Sequence, residues 1–161
     1  NALSYVSEMK YRPKPKIENG FIHITGKESS RVKRIIGTLF PQPLLEQNLE
    51  KIFFLDDVIE NKFSLIYFSE PRDFDLEKLE NNDRFIGSLK PILIVPQWCN
   101  VFPSSFRVFR DINNVLGQAG ITFAINKIFL LRPDKYIAAI IAPEKIDDLI
   151  RFIKKNKIFK F

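Results

Sequence analysis

Apolar and polar positions change period several times along the chain, and the sharpest changes lie toward its C-terminal end. From Asn126 to Leu131 and from Tyr136 to Ala142 the residues are β-prone and largely apolar, which predicts two strands. Between them, Pro133 fixes φ for the first central position of a tight turn, and Asp134 can bond its own backbone at the second. The spacing therefore predicts an antiparallel hairpin closed by Arg132, Pro133, Asp134 and Lys135. In a type I turn followed by a bulge, Lys135 takes positive φ, at a cost of roughly 1–2 kcal/mol for any residue but glycine. Relief of that strain leads us to expect Lys135→Gly to gain about 1 kcal/mol. Pro143 then opens a helix, with Ile146, Leu149, Ile150 and Ile153 at i, i+3, i+4 and i+7 making one apolar face.

Upstream, Phe63 to Ser69 is apolar apart from its serines, as expected of a central strand covered on both faces. Ile92 to Val95, set between Pro91 and Pro96, predicts a second strand parallel to it, and the chain between Phe68 and Ile92 is long enough for the crossover this requires. A short helix is expected over Asp73 to Asn82, carrying Phe74, Leu76 and Leu79. Another should follow Ser104 or Ser105, with Phe106, Phe109, Ile112, Val115 and Leu116 along one side and Gly117 as its stop. Arg107, Arg110 and Asp111 then point to solvent. Asp56 and Asp57 are adjacent, so they diverge rather than share a proton, and an N-cap for a helical turn over Val58 to Asn61 is the expectation. Asn1 to Ile17, with Pro13 and Pro15, reads as an extended arm. Phe21 to Thr25 reads as a strand between Gly20 and Gly26, and Gly37 to Pro43 as an extended entry into the domain.

A hairpin followed by a helix is the second half of a thioredoxin-like fold, and two stretches of this chain resemble the C-terminal domain of class A flavoprotein aromatic hydroxylases. Leu130, Leu131, Arg132, Pro133, Asp134, Lys135, Tyr136, Ile137 and Ala138 resemble that family's hairpin of arginine, proline, aspartate and glycine between apolar residues. Gly37 to Pro43, with Leu39, Phe40, Pro41 and Gln42, resembles the segment that opens the same domain. The departure is Lys135, where the family usually has glycine. The expected architecture is α/β: a thioredoxin-like mixed sheet flanked by helices, preceded by an N-terminal extended arm. Residues 1–36 are read as arm and linker, and 37–161 as the domain. The resemblance implies a C-terminal structural or interaction domain of a phenol hydroxylase or 3-(3-hydroxyphenyl)propionate hydroxylase type of monooxygenase. FAD and NAD(P)H are then implied for the parent protein, not for this stretch. The implied partner is the flavin module of the same polypeptide, with self-association into a homodimer as the other contact. The rival reading is a free-standing, redox-inactive thioredoxin-like binding module.

Composition changes this picture only at a few points. A chain of 161 residues supports one domain with a real core, and 16 phenylalanines supply material for it. No apolar run approaches the roughly 20 residues of a membrane-spanning helix. No signal peptide is visible at Asn1, and the missing initiator methionine reads as a start inside a longer gene product. Cys99 is the single cysteine, which excludes an intrachain disulfide and paired thiolate ligands, and fits a reducing, cytoplasmic setting. Where thioredoxins carry two cysteines, the chain reads Ser69, Glu70, Pro71, Arg72, Asp73, so redox chemistry is not expected. Cys99 has no histidine near it in sequence and reads as an inert thiol. His23, the single histidine, reads as a surface strand position. The formal charge of +6 gathers at the ends, in Lys10, Arg12, Lys14 and Lys16 and in Arg151, Lys154, Lys155, Lys157 and Lys160. These read as solvated ends. Without a helix-turn-helix, zinc-finger or RNA-recognition pattern, nucleic acid is not an expected partner. No residue is assigned a catalytic, cofactor-binding or metal-binding role.

Overall fold

A computed structural model describes residues 16–18, 21–23, 30–48, 51–70, 84–99, 107–121 and 126–156. The most apolar runs lie at its centre. Strand β5 (Ser64–Phe68) is buried at every position, and so are β6 (Ile92–Val95) and β9 (Ile137–Ile141). β5 pairs parallel with β6 and antiparallel with β8 (Lys127–Leu131), which turns back antiparallel into β9. On the other side, β6 pairs parallel with β7 (Val108–Asp111), which pairs antiparallel with β3 (Leu44–Gln47), and β3 with β4 (Lys51–Phe54). The result is a seven-stranded mixed sheet in the order β4-β3-β7-β6-β5-β8-β9. A separate two-stranded hairpin joins β1 (Lys16–Glu18) to β2 (Phe21–His23).

Alternating side chains of a strand face opposite sides, so this sheet builds a core on each face. On one, Leu65, Tyr67, Leu93 and Val95 meet Ile86 of α3 (Arg84–Ser88) and the apolar stripe Ile146, Leu149, Ile150 and Ile153 of α5 (Ile146–Asn156). On the other, Ile66, Phe68, Ile94, Phe129 and Ile140 meet Val32 and Ile36 at α1 (Ser30–Ile35), Leu55 of α2 (Leu55–Val58) and Leu116 of α4 (Val115–Gln118). Phe40 meets Phe129 edge to face, with ring centroids 5.3 Å apart. A 3₁₀ turn at Pro143–Lys145 leads into α5, whose first turn is acidic and whose last turn is basic, in keeping with its dipole.

The thioredoxin-like order, both central strands, the hairpin and the closing helix follow the pattern in the sequence. Four details differ. The residues expected to form one side of a long helix are divided: Val108–Asp111 is a strand, and only Val115–Gln118 is helical. Val108 to Arg110 pair with β6 while Arg110 and Asp111 pair with β3, so sheet hydrogen bonding outweighs helical spacing here. Phe109 and Leu116 still share one core, which is why the spacing resembled a helix face. Gly117 lies inside α4 beside the Asn114 side chain, and the left-handed residue after the helix is Gly120, at φ 77°. The turn expected over Val58 to Asn61 sits earlier, at Leu55–Val58, and α1 had no counterpart in the sequence reading. The helices expected over Asp73 to Asn82 and from Ser104 or Ser105 through Phe106 lie outside the described residues.

If α5 holds one face of the sheet through its buried stripe, Leu149→Ala should destabilise the domain by about 2–5 kcal/mol in urea unfolding, while Lys155→Ala on its exposed side stays within about 0.5 kcal/mol. Equal effects at the two positions would refute this assignment of the helix.

Candidate functional site

In a thioredoxin-like sheet the reactive position follows the first central strand. Here the stretch after that strand begins with Ser69, which is buried. Its backbone N–H donates to the Ile94 carbonyl at 3.1 Å, and its hydroxyl donates to Asn126 Oδ1 at 2.8 Å. Asn126, at φ 68°, donates its own N–H to the Phe68 carbonyl at 2.6 Å. A hydroxyl–amide pair thus ties the end of β5 to the start of β8. Cys99 lies after β6, half-buried against the core, with its N–H on the Pro96 carbonyl at 3.0 Å. His23 ends β2, and its backbone partner is Lys16. Among the described residues no three His, Cys, Asp or Glu side chains converge to hold a metal ion.

Of the two adjacent acidic residues expected to supply an N-cap, neither is the cap: Phe54 holds that position, and Asp57 is the third residue of α2. Asp57 accepts a hydrogen bond from the Phe54 N–H at 3.3 Å, closing the first turn of α2. The acidic residue that sequence reasoning placed in solvent is the more consequential one. Asp111 is buried, and its two carboxylate oxygens accept from the Val115 and Leu116 N–H groups at 3.0 and 2.8 Å, capping α4 across the turn at the end of β7. Burial pushes its pKa above the usual 3.8, against the two backbone hydrogen bonds that pull it down. The signal available in the sequence was the short side chain of Asp111 followed by Asn113 and Asn114, a turn-and-cap composition. Arg110 is likewise half-buried: it pairs with Glu46 at 3.0 Å and donates to the Gln97 carbonyl at 3.1 Å, linking β7 to β3 and to the loop after β6.

The turn from Arg132 to Lys135 is where the two separate stretches noted in the sequence meet. Lys135 N–H donates to the Arg132 carbonyl at 2.8 Å, and Arg132 N–H to the Tyr136 carbonyl at 2.9 Å. The Arg132 guanidinium pairs with Asp134 at 2.6 Å, and the strand register slips between Leu130 and Leu131. Lys135 has φ 69°, the left-handed conformation expected of that position in a bulged turn. Onto this turn folds the segment from Gly37, itself at φ 87°. Gly37 N–H reaches the Ile137 carbonyl at 2.8 Å, Ile137 N–H the Thr38 carbonyl at 2.9 Å, and Phe40 N–H the Lys135 carbonyl at 3.0 Å. Lys135 is only 8% exposed, and its ammonium donates to the Glu60 carbonyl at 2.8 Å. The lysine that replaces glycine therefore ties the hairpin turn to the segment leading into β5.

Two consequences can be measured. Because the raised pKa of Asp111 means that the folded state holds its proton more tightly, its contribution is fully present below the unfolded value of 3.8 and is lost as pH rises through the folded value. The stability of the wild type relative to Asp111→Asn should therefore fall as pH rises from about 4 and then level off; a difference that grows with pH would contradict the burial argument. At Lys135, relief of about 1–2 kcal/mol of left-handed strain is offset by loss of a charged hydrogen bond of similar size, which corrects the simple gain expected for glycine. Lys135→Gly should thus stay within about 1 kcal/mol of wild type, while Lys135→Ala, which keeps the strain and loses the bond, falls about 1 kcal/mol below Lys135→Gly in denaturant melts.

Comparison with known proteins adds the family. Residues 37–156, well over half of the chain, match the model of the HcaD C-terminal domain. The chain is 26% identical over 150 residues to a 3-(3-hydroxy-phenyl)propionate/3-hydroxycinnamic acid hydroxylase of Mycobacterium avium (strain 104), a match that covers 90% of this chain and 25% of that protein. It therefore spans about a quarter of the length of this relative. Among solved structures, yeast Sco1 with copper bound superposes with TM-score 0.50 at 13% identity, over 76% of this chain and 95% of that one. The C-terminal domain of an uncharacterized protein from Bacteroides fragilis NCTC 9343 gives 0.52 at 15% identity, over 72% and 96%. A thioredoxin-like protein from Bacteroides caccae ATCC 43185 gives 0.51 at 15% identity, over 73% and 49%. At these identities the structural likeness carries the fold alone. From the match over residues 37–156, the chain belongs to the HcaD C-terminal domain family, on a thioredoxin-like fold.

Proposed function

We propose that this chain is the C-terminal structural and interaction domain of an FAD- and NAD(P)H-dependent aromatic-ring monooxygenase, with the chemistry in a flavin module N-terminal to it. One observation supports the reading: the chain aligns along 90% of its length with a hydroxylase of which the match covers only a quarter. The sequence of this domain agrees with that division of labour. FAD needs a glycine-rich turn between a strand and a helix N-terminus to hold its pyrophosphate, and Gly20, Gly26, Gly37, Gly87, Gly117 and Gly120 are too scattered to make one. In the stretch after β5, where a thioredoxin would carry its reactive thiols, the chain reads Ser69 to Asp73 without a cysteine, and Ser69 is buried and bonded to Asn126.

A domain with this role needs a face for its neighbour. Ile52 and Phe54 alternate with Phe53 along the edge strand β4 and are 61% and 66% exposed, while Trp98 after β6 is also exposed. The exposed pair on β4 suits contact with the flavin module of the same polypeptide, with a second copy of the domain as the other occupant. No helix among the described residues is long and apolar enough to cross a membrane. With one cysteine in the sequence, a cytoplasmic setting completes the proposal.

Residues 1–161, purified and mixed with FAD, should show no flavin absorbance after gel filtration and no oxidation of NADH or NADPH, whereas the parent protein should retain FAD and oxidise one of the two. Stoichiometric FAD retention by residues 1–161 would overturn the division of labour. A parent protein without any flavin-binding region would instead leave a free-standing, redox-inactive thioredoxin-like binding module.

A further inference from the structure

The seven-stranded sheet ends on two edges, β4 and β9, and the chain treats them differently. β4 is short and opens on exposed Lys51, and the Phe54 N–H is taken by the Asp57 carboxylate at 3.3 Å. A charge and an occupied donor of this kind discourage pairing with another strand. β9 has neither device. Tyr136 to Ala142 carries no charge, no glycine and no proline, the composition of segments that add strand to strand. Yet no residue of β9 is more than 1% exposed. An edge strand in that condition is covered along its outer side, where its backbone N–H and C=O groups would otherwise meet water.

Two described segments lie beside that edge. Gly37 and Thr38 engage the backbone of Ile137, at the start of β9. The other segment is β2, whose Cα atoms come within 8 Å of those of β9, closer than the roughly 10 Å between stacked sheets. β2 therefore lies alongside β9 and is not layered over it. It nevertheless belongs with β1 to a sheet of its own, and both precede residue 37, where the match to the family begins. The hairpin is an addition resting against the edge of the family's domain.

We propose that the β1–β2 hairpin guards the β9 edge: while β2 lies against it no other strand pairs there, and when β2 leaves, the open edge takes β9 of a second copy. A second copy is the occupant the sequence favours, because two antiparallel β9 strands about a two-fold axis offer each other the same uncharged segment, with no like charges opposed. The ladders of the seven-stranded sheet are complete without β2, so its departure leaves them intact. The guard rests on β9 and the hairpin alone and is independent of where the flavin chemistry lies.

The test is sedimentation equilibrium and amide hydrogen exchange on residues 1–161 carrying Ile22→Pro or Ile17→Pro. Ile17 and Ile22 are partners across the hairpin, and proline at either removes a donor and breaks the pairing while residues 37–156 keep their sequence. Each variant should self-associate on the order of tenfold more tightly than the wild type. In the dilute monomer, exchange at Ala139, Ile140 and Ile141 should rise on the order of tenfold, while Leu65 to Phe68 stay protected. Adding Ile52→Lys on β4 should leave the association in place, which separates this edge from the surface assigned to the flavin module. The proposal is overturned by folded variants that associate no more than the wild type, by wild-type exchange at β9, or by association that Ile52→Lys abolishes. Loss of protection at β5 in both variants would overturn it as well, because the hairpin would then be part of the core.

Discussion

Burial of β5 and its neighbours on both faces is the constraint from which the rest of the domain follows. A strand such as Leu65-Ile66-Tyr67-Phe68 has no polar side to turn to water, so it is stable only when each face is roofed. The amphipathic stripe of α5 roofs one side. The other is closed piecemeal, by α1, Phe40, α2 and Leu116, none of which is long enough to do it alone. Burial of each large aliphatic side chain contributes about 1.5–3 kcal/mol, so the two roofs together set the stability, and the loops between them are arranged to hold the roofs in place. Asp111 capping α4 and Lys135 reaching Glu60 are both contacts of this kind.

What could be read from the sequence follows from that constraint. Continuous apolar runs, a turn built on Pro133 and a single amphipathic helix are local signals, and they marked β5, β6, the β8–β9 hairpin and α5. The roof made of short pieces was less legible. Ser30–Ile35 carries no acidic residue in its first turn, and its residues Val32 and Ile36 have meaning only against a sheet that lies far along the chain. Val108–Asp111 had the spacing of a helix face because a strand residue, Phe109, and a helix residue, Leu116, cover the same core from different elements. Asp111 looked solvated because nothing in its neighbours announces that β3 will cover it. In each case partners distant in sequence decided the outcome against a local preference.

A thioredoxin-like sheet is often taken as a sign of thiol chemistry, yet fold and chemistry are separable. In this chain the first residue after β5 joins a hydroxyl–amide pair with the start of β8, a tie within the sheet, and the stretch it opens, Ser69 to Asp73, holds no cysteine. The opposite end of the sheet is the more differentiated one. There the two stretches that suggested a family are hydrogen-bonded to each other, and the lysine that departs from that family's glycine supplies an additional tether.

The pairing of Gly37 to Phe40 with Lys135 to Ile137 also bears on how the domain reaches its fold. β5 takes one neighbour from Ile92 and the other from Phe129, and the outer edge of β9 is met by residues that come from before β3. Such contacts close long loops before any of them is rewarded, which places the chain among slow-folding topologies rather than the fast, locally connected ones. During synthesis β5 leaves the ribosome well ahead of β8 and must wait for it with its apolar faces open. Apolar surface left open in that interval is the kind on which aggregation begins.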